Sequence, residues 1–158
     1  SGQRISKENL RVDEILFDVI AELKVVYPNF DFELNYFPVK FDENSLIVNG
    51  NKMLVKQAFQ NLLLNCISYG NEPKAQIKID CSLKDQLRIS ISNRGEIVSK
   101  KEEKNLFHHS FRGKNSEGKI GFGLGLVLAK KIMDVHKADI FYRSSNTDLN
   151  VFEVVFRK

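Results

Sequence analysis

The sequence predicts an α/β protein, an α+β sandwich in which a mixed, mostly antiparallel sheet of about five strands is faced by about three helices. Three stretches carry apolar residues at helical spacing, and several shorter segments alternate apolar with polar residues. The 158 residues are 42% hydrophobic and 28% charged, which is ordinary for a globular domain with its own core. We therefore expect residues 1–158 to form a single domain, and Ser1-Gly2 is compatible with a cloning remnant.

The elements of the first half follow from apolar spacing. Residues 11–26 predict an amphipathic helix, which ends before Pro28. Alternation over residues 30–36 predicts a half-buried strand, and residues 46–48 predict a short one. A long helical pattern then begins at Asn51 and ends before Pro73.

The second half predicts two hairpins with a helix between them. Residues 77–81 and 87–91 alternate around a turn at Lys84-Asp85, and Asn93-Arg94-Gly95 ends the second strand. Residues 102–109 could form a short helix, and residues 126–135 carry another helical pattern. Two final strands are predicted at residues 140–142 and 151–156.

Composition excludes several classes of function. The net charge is +4 and the lysines are scattered, without a basic stripe interleaved with aromatics, which argues against nucleic-acid binding. No apolar run approaches 18 residues and no signal peptide is recognisable, so we expect a cytoplasmic segment without direct membrane contact. Cys66 and Cys81 lie in apolar contexts, which indicates reduced core thiols.

Two stretches carry candidate chemistry. Gly121, Gly123 and Gly125 precede an apolar helical series, so a loop would feed a helix N-terminus whose free N–H groups and dipole suit a phosphate. The stretch is not a P-loop, because Leu126 and Val127 stand where Lys and Ser or Thr are needed. It does not fit a dinucleotide fingerprint either, because the preceding residues 112–119 are polar and a hydrophobic strand is needed there. A glycine-rich turn between packed elements is the alternative.

The second stretch is an amide row on the long helix. Gln57, Asn61 and Asn65 are four residues apart and share one helix face. Such amides could ligate Mg²⁺ and donate to phosphate oxygens. Alternatively, the row faces solvent or each amide satisfies buried backbone.

Taken together, these stretches resemble sensor histidine kinases. Residues 61–69 resemble the asparagine box, 93–95 the first glycine box, 106–112 the phenylalanine box and 121–126 the second glycine box, in the family's order. The resemblance, which covers residues from about 50 to 144, is to the catalytic ATP-binding domain, in the superfamily of gyrase, MutL and a heat-shock chaperone. It implies the Bergerat fold, with ATP held under a mobile lid.

The resemblance implies roles for individual residues. Asn65 matches the family's Mg²⁺ ligand, and Asn61 matches the amide one turn earlier that supports phosphate and metal. Tyr69 matches an aromatic residue near the nucleotide. Asn93 stands at the position that accepts a hydrogen bond from the adenine amino group, and Gly95 at the glycine that lets the backbone approach the base. The remaining implied nucleotide-binding positions are the lid cations and the second glycine box: Arg112, Lys114, Lys119, Gly121, Gly123, Leu124, Gly125 and Leu126.

The sequence also departs from the family pattern. Asn93 replaces the usual aspartate, Ile97 the second glycine of the first glycine box, and Ser68 a frequent lysine; Lys137-Ala138 replaces a glycine pair. The second aromatic of the phenylalanine box is shifted to Phe111. These departures bear on base recognition and affinity more than on the fold.

The resemblance implies that the chain binds Mg·ATP and donates its γ-phosphate to a histidine on a separate dimerisation domain, with a response regulator downstream. The parent protein would be cytoplasmic or anchored in the inner membrane. His108, His109 and His136 are not in the context of a phosphoacceptor and are interpreted as structural. Two alternatives stay open: a non-catalytic signalling module with the same fold, and an ATP hydrolase, which Asn61 disfavours because it cannot accept a proton.

Overall fold

The computed structural model describes residues 4–108 and 123–158. The first elements are β1 (Glu8–Arg11), α1 (Val12–Val26), β2 (Asp31–Phe37), a 3₁₀ helix (Glu43–Leu46), β3 (Ile47–Gly50) and α2 (Lys52–Tyr69). They are followed by β4 (Lys74–Asp80), β5 (Gln86–Arg94), α3 (Lys100–Glu103), α4 (Gly123–Val135), β6 (Asp139–Ser145) and β7 (Leu149–Arg157).

The main sheet has five strands in the order β2-β4-β5-β7-β6, and β1 pairs separately with β3. The pairing of β2 with β4 is parallel, and the other pairings within the main sheet are antiparallel. Parallel pairing is possible because the chain between β2 and β4 includes α2 and is long enough for a crossover. The expected α/β class, with a mixed, mostly antiparallel sheet and helices, is confirmed.

The core lies between the helices and one face of the sheet. Helix α2 contacts α1 and α4 as well as β4 and β5, and α4 contacts β6. Alternating residues of the central strands are buried on this face: Ala75, Ile77, Ile79, Leu87, Ile89, Ile91, Phe152, Val154 and Phe156. The opposite face carries an open cleft of about 600 Å³ lined mostly by polar and charged side chains, among them Lys78, Arg88 and Glu153.

The structure differs from the sequence-based prediction at two places, β1 and α3. Strand β1 was not expected, because its four residues have no alternating pattern; it forms by pairing Leu10 with Val48 in β3. The helix expected over residues 102–109 is wrong in extent: α3 spans four residues, capped by Ser99, and is followed by turns through Leu106 to His108. The short i→i+3 bonds of these turns do not propagate an α-helix.

Candidate nucleotide-binding site

The amide row is positioned by the way α2 begins. The side chain of Asn51 accepts a hydrogen bond from the Leu54 N–H at 3.0 Å, which caps the helix N-terminus. The backbone N–H of Asn51 donates to Nε2 of His136 at 3.0 Å, which ties the start of α2 to the end of α4. His136 Nδ1 lies 2.7 Å from the Ile132 carbonyl, so we assign the proton to Nδ1. His136 is therefore structural, as the sequence suggested.

Asn61 lies where α2 meets the start of α4, and Asn65 follows it one turn later on α2. The Asn61 Nδ2 donates to the Gly125 carbonyl at 3.3 Å, and Asn65 is buried. The row therefore does not face open solvent at these two positions, whereas Gln57, one turn earlier, is exposed. The alternative in which an amide satisfies backbone holds for Asn61, because its side chain donates to the Gly125 backbone carbonyl.

Asn93 lies near the C-terminal end of α2, at the opposite end of the site from Gly125. It is 5% exposed and sits near the end of β5 on the helix-facing side, directly opposite Asn150 of β7. A Cβ added to Gly70, the residue that ends α2, would lie 2.9 Å from Asn93 Nδ2. Asn61, Asn65 and Tyr69 thus follow each other along α2 from Gly125 toward Asn93.

Gly95 has a packing role that the sequence did not reveal. A Cβ at this position would lie 2.6 Å from the Tyr69 carbonyl oxygen, closer than real Cβ contacts allow. The neighbouring backbone is joined to the same helix end, because the Asn71 N–H donates to the Arg94 carbonyl at 2.8 Å. Glycine is therefore required here for the C-terminus of α2 to pack on the end of β5, and approach of the backbone to a base stays a prediction.

The second glycine box is only partly described. Gly123 is the first residue of α4, and the side chain of Leu124 is outside the described set. Leu126 is 1% exposed in the core, so a nucleotide could meet only its backbone. The implied lid cations Arg112, Lys114 and Lys119, together with Gly121 and His109, lie outside the described residues.

The described residues offer no carboxylate-rich metal site. Residues 4–108 and 123–158 contain no group of three or more His, Cys, Asp or Glu side chains that could hold an ion. A metal here would depend on amide oxygens and on oxygens of the bound ligand. Mg²⁺ accepts such a set, since it commonly takes one or two protein ligands beside substrate phosphates and water.

The candidate site thus combines the start of α4 at Gly123, the amides of α2 and Asn93 near the end of β5. A comparison with protein families finds a match for the part of the chain that contains these residues. The model described as histidine kinase-, DNA gyrase B-, and HSP90-like ATPase matches residues 50–158. The chain belongs to this family. The matched range includes α2, α4 and β4 to β7, and it contains all of the described candidate residues.

This ATPase-family chain is similar over most of its length to two curated heme sensor proteins. The heme sensor protein HssS of Staphylococcus aureus (strain JH9) is 29% identical over 150 residues, which cover 93% of this chain and 31% of HssS. HssS of Staphylococcus saprophyticus is 26% identical over 149 residues, which cover 92% of this chain and 31% of HssS. The chain thus spans about a third of the length of these relatives.

Solved structures support the same placement. The catalytic domain of histidine kinase ThkA superposes with a TM-score of 0.78 at 25% identity, covering 98% of this chain and 99% of that chain. The mycobacterial sensor histidine kinase MprB gives a TM-score of 0.80 at 16% identity, with coverage of 96% and 97%, and supports the fold alone. The expectation of a histidine kinase type of ATP-binding domain is confirmed. In the described part of this ATPase domain, no helix is long and apolar enough to cross a membrane.

Proposed function

We propose that this chain binds Mg·ATP and presents the γ-phosphate to a histidine on a separate dimerisation domain, as the catalytic domain of a sensor histidine kinase. The observation that carries the proposal is the continuous line from Gly125 through Asn61, Asn65 and Tyr69 to Asn93. A response regulator downstream and a cytoplasmic position of this segment belong to the same proposal.

Each part of this line has a chemical task. The N-terminus of α4 would receive phosphate oxygens on the N–H groups of its first turn, which have no partner within the helix. Asn65, supported by Asn61, would hold Mg²⁺, which neutralises charge on the transferring phosphoryl group when bound. Asn93 would accept a hydrogen bond from the base. Positioning and charge neutralisation account for most of the catalysis in phosphoryl transfer, so the chain needs no covalent chemistry of its own.

The test is calorimetric titration of ATP into the starting domain and Asn65→Ala, with Mg²⁺ and with chelator. We expect Asn65→Ala to lose the Mg²⁺-dependent part of the affinity and keep a weaker part that does not depend on metal. Gln57→Ala is the matched control, because Gln57 is an exposed amide on the same helix row. Equal Mg²⁺ dependence in Asn65→Ala and the control would contradict the role of Asn65.

A non-catalytic module is the second candidate, and the neutral amide at Asn93 favours it. A neutral hydrogen bond is worth about 0.5–1.5 kcal/mol, against about 1.5–3 kcal/mol for a charged acceptor. Under the kinase proposal, Asn93→Ala weakens ATP and ADP alike by about tenfold or less, and Asn93→Asp tightens both. Absence of binding at millimolar nucleotide, without rescue by Asn93→Asp, would favour the module.

A further inference from the structure

Buried hydrogen bonds hold the segment that follows β5, at the same end of the sheet as Asn93. The side chain of Asn150 is 7% exposed, and its Nδ2 donates to the Gly95 carbonyl at 3.4 Å and the Glu96 carbonyl at 3.3 Å. Because Asn150 is paired with Asn93 across β5 and β7, both side chains lie on the same face of the sheet. Asn150 therefore connects the strand position of Asn93 to the loop beyond it.

Tyr142 completes this set of contacts. Its hydroxyl donates to Asn150 Oδ1 at 2.5 Å and accepts from the Val98 N–H at 2.9 Å. The ring packs on Phe152, with centroids 5.1 Å apart, so the hydroxyl is held in place. Burial raises the pKa of Tyr142, and the hydroxyl keeps its proton at neutral pH. Both hydrogen-bonding capacities of Asn150, as donor and as acceptor, are thus engaged.

The contacts act on backbone that has no regular structure. Residues 96–98 belong to no helix or strand and precede Ser99, which caps α3, so strand or helix bonds do not fix their backbone. The start of the segment is held as well, since the Gly95 N–H donates to the Asp148 carbonyl at 2.8 Å and Arg94 pairs with the Asp148 carboxylate at 2.7 Å. A loop fixed before a ligand arrives spares the ordering cost of binding.

We propose that Asn150 and Tyr142 are positioning residues of the nucleotide site, which hold residues 95–98 and keep Asn93 in register to distinguish one purine base from another. The inference rests on the proposed function, since it concerns the base end of the same site. Neither residue needs to touch the nucleotide. Their effect is on base selectivity, and the phosphate end near Gly125 is left unchanged.

The test compares ATP with inosine triphosphate, which differ at position 6 of the base and share ribose and phosphates. The variants are Tyr142→Phe, which keeps the ring, and Asn150→Asp, which keeps the shape and the acceptor but loses the donor to both carbonyls. Tyr36→Phe is the matched control, because it also removes a tyrosine hydroxyl that bonds a buried side chain, Asp13 of α1. Tyr36 lies on β2, at the opposite edge of the main sheet from Tyr142 on β6.

We expect both variants to lower the ratio of ATP to inosine triphosphate affinity about three- to tenfold, and the control to leave the ratio unchanged. Hydrogen exchange of the Val98 N–H, measured without nucleotide, should accelerate in Tyr142→Phe and stay slow in the control. That readout tests the contact itself.

Other outcomes overturn the inference. If the variants keep the starting ratio, or if the control lowers it equally, Asn150 and Tyr142 contribute stability alone. If the starting domain binds both nucleotides equally, the base end does not read position 6, and this inference fails while the proposed function stands. If the starting domain binds neither nucleotide, the proposed function and this inference fail together.

Discussion

Single residues decide how closely the two halves of the site approach each other. An added Cβ would lie 2.6 Å from a backbone carbonyl at Gly95, and within 3.0 Å of both a backbone carbonyl and Asn93 Nδ2 at Gly70. At Gly125 the nearest described atom is Asn61 Cβ at 3.8 Å, an ordinary distance. Glycines that look alike in the sequence are therefore under different constraints.

This difference gives a paired prediction. Gly95→Ala should destabilise the domain by about 1–3 kcal/mol, because the methyl group overlaps the Tyr69 carbonyl and α2 must shift. Gly125→Ala should be neutral or stabilising by up to about 1 kcal/mol, because no described atom lies closer than 3.8 Å to the added Cβ and the position is helical. Urea unfolding of both variants measures the difference. Equal stability of the two would contradict the packing role assigned to Gly95.

Lys137 stands where the histidine kinase pattern has a glycine, and its backbone has the conformation that favours glycine. It has a φ of 55°, in the left-handed region that favours glycine, and follows the last turn of α4. The Ala138 N–H returns to the Met133 carbonyl at 2.9 Å, which closes the helix C-terminus. Lysine therefore occupies a conformation that costs a residue with a Cβ about 1–2 kcal/mol, and the surrounding bonds maintain it.

At the scale of elements, a buried carboxylate joins the N-terminal strand and helix to the edge of the main sheet. Asp13, 2% exposed in the first turn of α1, accepts two hydrogen bonds from the Arg11 guanidinium at 3.0 Å and one from the Tyr36 hydroxyl at 2.6 Å. Burial raises the pKa of Asp13, but the bonds from Arg11 and Tyr36 outweigh it and hold the pKa below the usual value. Burial and the bond to Asp13 raise the pKa of Tyr36 to about 12.

Asp13 stabilises the folded protein more at neutral pH than at acid pH. Because the folded pKa of Asp13 is below the unfolded value of about 3.9, its stabilisation is complete above that pH and is lost as the pH falls through the folded pKa. Asp13→Asn should cost about 1–3 kcal/mol at pH 7 and reduce the loss of stability on acidification below about pH 4.

Unfolding free energies at pH 7 and pH 3 test this prediction. Asp18→Asn, at an exposed carboxylate on the same helix, is the control. If the unfolding free energy of Asp13→Asn falls between pH 7 and pH 3 as much as that of the starting protein, Asp13 does not cause the acid sensitivity.

At the scale of the whole molecule, the site has amides where water activation would need a base. Asn61 lies one turn before Asn65, bonds to the Gly125 carbonyl and cannot accept a proton at neutral pH. We expect the isolated domain to bind ATP and hydrolyse it far more slowly than about 1 per second, a low rate for enzymes. A phosphate-release assay measures the rate, and steady turnover at or above that value would favour the hydrolase alternative.

The sequence alone was enough to predict most of the helices and strands, their order and the amide row on α2, although it did not predict β1. Hydrophobic periodicity reports which residues share a face, and that information is local. The ends of α1 were therefore predicted to within a residue, as was the start of α2, whereas the strands of the β4–β5 hairpin extend up to three residues beyond their predicted ranges. The amide spacing likewise predicted that Asn61 and Asn65 would share a face. The resemblance then supplied their expected roles, together with those of Asn93 and Gly95.

Contacts between residues far apart in the sequence became known from the folded structure. The parallel pairing of β2 with β4, the clash that restricts Gly95, and the contact between Asn150 and Gly95, 55 positions apart, leave no periodic trace in the sequence. Asn150 and Tyr142 were missed because each is a lone polar residue at a strand position, where alternation indicates only the face. Their hydrogen bonds exist because folding buries their polar atoms together, and buried polar atoms must find partners wherever the chain brings them.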